Sequence, residues 1–351
     1  MKKISKVLIT GLGSIGQRHV RNIRKTYGKS ISIIAYRIRK KNTVINADMT
    51  VSDGISVEKK YDIISFYDLE EALAQKPDVV FITNPNSLHI PIAIEAAKRG
   101  CHLYIEKELS NNWKGVNELS KIIKSKNLVA FVAYQRRFHP GYEMIYKTIK
   151  SGKLGNILSV NINSGEYIKD WHPYEDFRKM HAAVRELGGG SLMHQTHELN
   201  LLLWYFGLPK KILALGGSVS KLRLDVEDSV DIMLEFLSNA KKVVAQVHID
   251  LLQRPARRIC EIIGDESYLY FDFFKNELII QSNKNGQIDR FSYENFNRDD
   301  MFISAISEFF TCIEEDKISK KLDLAEGIKS MEISMAAKKS LLRKEIINLK
   351  E

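Results

Sequence analysis

Lys6-Val7-Leu8-Ile9-Thr10-Gly11-Leu12-Gly13-Ser14-Ile15-Gly16-Gln17-Arg18-His19 is an apolar run that ends in a Gly-x-Gly-x-x-Gly turn and passes directly into a helical pattern. In a dinucleotide site Gly11 permits the tight turn, Gly13 lets backbone amides approach a pyrophosphate, and Gly16 lets the new helix pack on its strand. Ser14 and Ile15 open that helix, whose N-terminal partial positive charge favours phosphate. The motif alone is weak evidence. Its place between a β-like run and a helix favours a dinucleotide site over an unliganded turn.

Composition narrows the rest. A chain of 351 residues is long for one domain and predicts two. With 44% hydrophobic and 27% charged residues it reads as an ordinary globular protein rather than a disordered one. No apolar stretch approaches the roughly 18 residues of a membrane span. The apolar run before Gly11 is shorter than a signal-peptide core of about 7–15 residues, so the cytoplasm is the expected compartment. Cys101, Cys260 and Cys312 form no pair at disulfide or zinc spacing and read as small buried apolar residues. The formal charge of +10 is spread through helical segments without a stripe or a nucleic-acid motif. It suits an anionic cofactor or a phosphorylated substrate better than nucleic acid.

Outward from the glycine turn, β-like runs alternate with helical patterns. Strands are predicted at 31–36, 79–83, 102–105 and 128–133, with helices at 69–75, 90–99 and 113–126. That alternation predicts a doubly wound parallel sheet over residues 1–133. From 134 to 351 the pattern becomes α+β. Helices are expected at 140–151, 191–206, 301–315 and 324–343, and strands at 157–162, 212–218, 229–236, 243–251, 258–264, 268–273 and 277–281. Short turns such as Ser238-Asn239-Ala240 point to a large, mostly antiparallel open sheet. The final helix is a candidate to pack back on the first domain.

Asn84-Pro85-Asn86 falls where the 79–83 strand ends, the place where open parallel sheets bind ligands, although the same residues suit an ordinary turn and helix cap. Lys107 follows the 102–105 strand at another carboxyl end. His194 and His197, three apart on the predicted 191–206 helix, project from one face. Two such histidines could hold a metal, but no cysteine or carboxylate set completes a site, and no metal is expected. Where the second strand ends, NAD enzymes place an acid for the ribose 2′-hydroxyl. Here Arg37 stands, followed by Arg39, Lys40 and Lys41. A guanidinium matches a 2′-phosphate, so NADP(H) is favoured over NAD(H), the alternative being an exposed basic loop.

Several landmarks in order give the chain a family likeness. They are the glycine turn with His19, Asn84-Pro85-Asn86-Ser87-Leu88-His89, Glu106-Lys107, Tyr134-Gln135-Arg136-Arg137-Phe138-His139-Pro140, Ser151-Gly152-Lys153-Leu154-Gly155, and Gly188-Gly189-Gly190 leading to Trp204. Together they resemble the Gfo/Idh/MocA oxidoreductases over nearly the whole chain. The resemblance implies an NAD(P)-dependent enzyme that moves a hydride between nicotinamide and a ring carbon of a sugar, sugar phosphate or nucleotide sugar. The look is similar to relatives from surface-glycan pathways. It implies cofactor contacts from Asn84, Pro85, Asn86, His89 and Gln135, with Glu106 either pairing with Lys107 or touching the nicotinamide ribose. It implies Lys107 and His197 as the groups that handle the hydroxyl proton, a task imidazole suits because it titrates near neutrality. Gln135, Arg137 and His194 are expected at the substrate, with Tyr167, Trp171 and Arg178 walling the pocket.

Two departures stand out. The resemblance implies proline after the lysine, often in a cis peptide, but this chain has Glu108. A non-proline cis bond costs about 2.5–4 kcal/mol, so Lys107–Glu108 is expected trans. His194 also stands where an aspartate is usual, and Asn200 where a second one is common. The alternatives are a non-catalytic dinucleotide-binding sensor and a lyase or glycosidase that retains its cofactor. Family likeness further implies a homodimer or homotetramer built through the open sheet.

Overall fold

The computed structural model describes residues 3–38, 43–52, 54–238, 241–319 and 321–349. Asn239 and Ala240 of the expected turn, and Arg39, Lys40 and Lys41, lie outside the described residues. The chain divides into two compact units. One comprises Met1–Gln135, His172–Glu175 and Asp299–Ile328; the other comprises Arg136–Trp171, Asp176–Arg298 and Lys329–Glu351.

The first unit runs β1 (Lys6–Thr10), α1 (Ser14–Tyr27), β2 (Ser32–Tyr36), β3 (Val44–Ile45), β4 (Val51–Ser52), α2 (Val57–Tyr61), β5 (Ile64–Phe66), α3 (Leu69–Ala74), β6 (Val79–Ile82), α4 (His89–Lys98), β7 (His102–Glu106), α5 (Val116–Ser125) and β8 (Ala130–Ala133). Six of these strands form a parallel sheet in the order β5-β2-β1-β6-β7-β8, while β3 and β4 pair as a small separate ladder. β6, β7 and β8 are buried at every residue, as strands covered on both faces must be. The order reverses at β1, which pairs with β2 on one side and β6 on the other. Ligands of such sheets bind at this crevice, beyond the strand carboxyl ends. Short helices here start on side-chain caps: Ser56 accepts from the Lys59 N–H and Asp68 from the Glu71 N–H.

The second unit contains α6 (Pro140–Lys150), β9 (Ile157–Gly165), α7 (Ser191–His194), α8 (His197–Phe206), β10 (Lys211–Gly217), β11 (Ser229–Ser238), β12 (Lys241–Asp250), β13 (Arg257–Gly264), β14 (Ser267–Asp272), β15 (Glu277–Ser282) and β16 (Ile288–Ser292). After α9 (Arg298–Glu314) and α10 (Leu324–Arg343), β17 (Ile347–Asn348) completes a nine-stranded sheet in the order β16-β15-β14-β13-β9-β12-β11-β10-β17. Its pairs are antiparallel except β9 with β12. One face carries the core: Val230, Ile232, Leu234, Val247 and Ile249 pack with Tyr142 and Ile145 of α6, Leu199 and Leu202 of α8, and Ile333 of α10. α6 begins with Pro140 at its first turn and with the His139 imidazole accepting from the Gly141 N–H.

Two expectations change. The chain does not divide at a single break at 133/134, because α9 falls almost wholly in the first unit. Its aromatic face explains this: Phe309 lies 5.0 Å from Phe131 and 5.4 Å from Tyr104, and Phe302 lies 6.0 Å from His19, ring centre to ring centre. The single helix expected at 191–206 is broken between α7 and α8, with Gln195 at φ −102°, ψ 43°. The Gln195 side chain is drawn into the sheet, donating to the Asp250 carbonyl and accepting from Ser164 Oγ at 2.8 Å. His194 and His197 therefore end one helix and begin the next rather than sharing a face.

Candidate functional site

In the first unit the glycine turn is built as its sequence requires. Gly11 has φ +96°, a conformation that L side chains rarely adopt. A Cβ on Gly16 would lie 2.0 Å from the Gly11 carbonyl oxygen, so only glycine lets α1 approach this closely. A Cβ on Gly13 would meet nothing within 4 Å, which leaves open space over the turn. Gly13 is also the N-cap of α1 and offers no side chain to its first-turn amides. Ser14 Oγ lies 3.5 Å from His172 Nε2 and is hydrogen-bonded to Tyr174, and His172 bonds Glu175 at 2.7 Å. Burial and the nearby Glu175 push the Tyr174 hydroxyl up to about 12, against the Ser14 bond. No spacing in the sequence joins His172 and Tyr174 to a turn some 160 residues away.

At the end of β2, Arg37 is buried and its guanidinium is paired with Glu58, which also accepts from Ser65 Oγ at 2.8 Å. Burial works to raise the Glu58 pKa, but the bonds from its own backbone N–H, Ser65 and Arg37 hold it below the usual value. Glu58 was not among the sequence candidates, since nothing in a helix-forming Val57-Glu58-Lys59-Lys60 marks it out.

After β6, the Asn84 carboxamide oxygen is buried without a hydrogen-bond partner. Pro85 precedes a turn of 3-10 helix at Asn86–Leu88, and the buried Asn86 donates from Nδ2 to Glu108 Oε2 at 3.0 Å. His89, expected at the cofactor, opens α4. It is buried, with Nδ1 2.7 Å from the Glu108 carbonyl oxygen and Nε2 2.8 Å from that of Asn84. Burial pulls its pKa down, against two carbonyl acceptors that favour the cation. It ties two strand-end loops together.

At the end of β7, Glu106 is bonded to His19, with Oε1 2.6 Å from Nε2. Lys107 Nζ donates to Glu108 Oε1 at 3.1 Å, and both side chains are largely buried. The Lys107–Glu108 peptide is cis, not trans as expected. The bonds from His89 to the Glu108 carbonyl, and from Asn86 and Lys107 to its carboxylate, hold residue 108 where the resemblance implies proline. After β8, Gln135 is buried and its Oε1 finds no hydrogen-bond partner.

A dinucleotide suits these residues. The open space over Gly13 accommodates a pyrophosphate, and the unbonded Asn84 and Gln135 oxygens are acceptors for ribose hydroxyl and carboxamide N–H groups.

In the second unit, His194 stacks on Trp171, ring centres 4.8 Å apart, and lies 4.9 Å from the ring of His181. The Trp171 indole N–H is buried without a partner, as a wall residue awaiting a polar ligand would be. His181 escaped the sequence reading because it lies outside every motif. His197, the first residue of α8, is buried. Its neighbour Glu198 is fully buried between Arg136 and Arg258. Burial opposes ionisation there, but the two guanidiniums keep the Glu198 pKa below the usual value. Arg137, expected at the substrate, is 1% exposed, bonds Asn200 Oδ1 at 2.8 Å and lies over Trp204. Its guanidinium is held on α8 by Asn200. Tyr167 lies under the Arg254 guanidinium at 4.0 Å, and Arg178 is exposed over Phe177 at 4.7 Å. Among the described residues no group of three or more His, Cys, Asp or Glu is arranged to hold a metal, and no helix is long and apolar enough to cross a membrane.

The fold and these residues define a two-unit oxidoreductase with an NAD-binding Rossmann sheet. Residues 5–134 match the oxidoreductase family described as GFO_IDH_MocA with an NAD-binding Rossmann fold, and residues 142–270 match its C-terminal domain. The chain belongs to this family. It is 26% identical over 248 residues to Oxidoreductase P35 of Formosa agariphila, covering 69% of this chain and 74% of that one. It is also 26% identical over 245 residues to levoglucosan dehydrogenase of Pseudarthrobacter phenanthrenivorans, covering 62% of each. A solved levoglucosan dehydrogenase, in complex with NADH and L-sorbose, has the same fold, with TM-score 0.82, 19% identity and full coverage of both chains.

Proposed function

We propose that this protein oxidises or reduces a ring carbon of a sugar or sugar derivative, including phosphorylated and nucleotide-linked sugars of surface-glycan biosynthesis. The observation that carries the reading is Lys107, held at the carboxyl end of β7 in the same sheet whose β1 turn leaves Gly13 open. The bound nicotinamide supplies the acceptor or donor of hydride. Gly11, Gly13, Ser14, Ile15 and Gly16 cradle the pyrophosphate, and Asn84, Pro85 and Asn86 line the ribose side. Gln135 takes the carboxamide. Lys107 holds the substrate hydroxyl and exchanges its proton, and His197 is the second residue proposed for proton transfer. Trp171 and His194 offer a flat aromatic wall to a sugar ring, and Tyr167 and Arg178 are assigned to the same pocket.

The reading includes a preference for NADP(H), supported by Arg37 at the end of β2. Glu58 is the competitor: a 2′-phosphate must take the guanidinium from a carboxylate that already holds it. Glu58→Gln should therefore tighten NADPH binding several-fold with NADH little changed, and Arg37→Asp should reverse the preference. If fluorescence titration finds the NADPH-to-NADH ratio unmoved in both variants, the pair does not set cofactor choice.

Self-association through the open face of the nine-stranded sheet belongs to the same proposal. That face exposes Leu215 on β10, Met233 and Leu237 on β11, Val244 on β12 and Ile263 on β13. Light scattering is expected to give the mass of a dimer or tetramer; the mass of one chain refutes it. The deciding experiment for the activity is titration with NADPH and NADH, followed by a panel of sugars and nucleotide sugars read at the reduced-nicotinamide absorbance. Substrate-dependent absorbance change supports the reading. Tight binding with a silent panel favours a sensor, and product without net change in reduced nicotinamide favours a lyase.

A further inference from the structure

Position 108 carries a charged residue in a buried place. Glu108 is 3% exposed, and a carboxylate kept there must be matched by partners. It has three. Oε1 is 3.1 Å from Lys107 Nζ, Oε2 is 3.0 Å from Asn86 Nδ2, and its carbonyl oxygen is 2.7 Å from His89 Nδ1. Asn86 and His89 are buried too: Lys107 and Asn86 hold the carboxylate, while His89 fixes the backbone carbonyl of the same residue. Proline, the residue implied here by resemblance, keeps the carbonyl but has no carboxylate to pair with Lys107.

We propose that Glu108 is the proton-relay partner of Lys107, a role that rests on the hydride-transfer reading above. An ammonium cannot accept a proton unless it gives one up. With Glu108 at hydrogen-bond distance both transfers occur together. In the oxidising direction the substrate O–H bond breaks and its proton joins Nζ, while an Nζ–H proton passes to Oε1. The C–H electron pair leaves as the hydride that the nicotinamide accepts. Lys107 ends as the ammonium it began as, and Glu108 ends as the neutral acid; reduction runs the same transfers backwards. Asn86 Nδ2 keeps the carboxylate turned so that Oε1 faces Nζ.

The test uses the full-length protein with Glu108→Gln, Glu108→Asp and Lys107→Met, each checked for an unchanged melting temperature. The first readout needs no substrate: acetic anhydride labelling of Lys107, followed on its peptide by mass spectrometry. Glu108→Gln should accelerate labelling several-fold and Glu108→Asp less; equal rates in all three forms of residue 108 overturn the pairing. The second readout is turnover of the sugar found by the panel. A general acid–base partner contributes typically about 10²–10⁴-fold. Glu108→Gln should therefore lower kcat at least about 100-fold and change the solvent deuterium isotope effect, with cofactor affinity kept, and Glu108→Asp should restore part of the loss. A kcat within about twofold of wild type, or a loss confined to KM, overturns the relay. Full activity in Lys107→Met instead removes the lysine role on which the reading stands. Wild-type protein silent on every alcohol overturns the hydride reading and the relay with it, while the labelling rates still report the ion pair.

Discussion

Gly16 and Glu198 show how far single residues are constrained. A methyl group on Gly16 would meet backbone, not a movable side chain, so Gly16→Ala must push α1 away from the β1 turn. Loss of NADH and NADPH binding by at least about tenfold is expected in titration, with the circular dichroism spectrum retained; unchanged affinity would show that the turn can open without harm. Glu198 is the opposite case, a buried charge rather than a missing side chain. Glu198→Gln leaves Arg136 and Arg258 without their shared carboxylate, and removing one partner of a buried ion pair costs about 3–5 kcal/mol. Urea denaturation should show a loss of that order. A change under about 1 kcal/mol would mean that Glu166, 2.5 Å from Arg258 Nη2, already balances the charge.

At the scale of elements, the break between α7 and α8 depends on one amide. Periodicity alone reads 191–206 as one helix, because the apolar spacing continues through the break and Gln195 is a good helix former. The Ser164 hydroxyl and the Asp250 carbonyl, on strands far away in sequence, take its side chain. Gln195→Leu should take one hydrogen bond from each partner, at about 0.5–1.5 kcal/mol apiece, and let the two helices merge. A lowered melting temperature and displaced His194 and His197 resonances are expected. An unchanged spectrum at both histidines would show that the break has another cause.

Over the second unit, the pH response should carry the mark of the open sheet. His248 on β12 lies between Asp231 at 2.9 Å and Asp250 at 3.0 Å. The bond to Asp250, opposed by partial burial and reinforced by Asp231, lifts its pKa to about 9. A histidine raised in the folded state adds stability that is complete below its unfolded value of about 6.5 and is lost as pH rises through about 9. Melting temperature should therefore decline between neutral pH and about 9.5, and His248→Gln should flatten that decline. Equal slopes in both proteins would exclude the histidine as the cause.

Much of this protein was legible in one dimension. The parallel sheet, the glycine turn and the strand-end positions of Asn84 and Lys107 follow from local rules, because periodicity, turn chemistry and backbone freedom act between near neighbours. The site's partners did not follow from them. That Arg37 meets Glu58, Glu106 meets His19, His89 bridges Asn84 and Glu108, and α9 joins the first unit are outcomes of distant segments brought together. The same is true of Arg137, whose bond to Asn200 joins residues 63 apart in the chain. Residue type and spacing state which groups a chain can offer. Which of them a buried carboxylate, amide or carbonyl then engages depends on desolvation and close packing, and those exist only once the chain has folded.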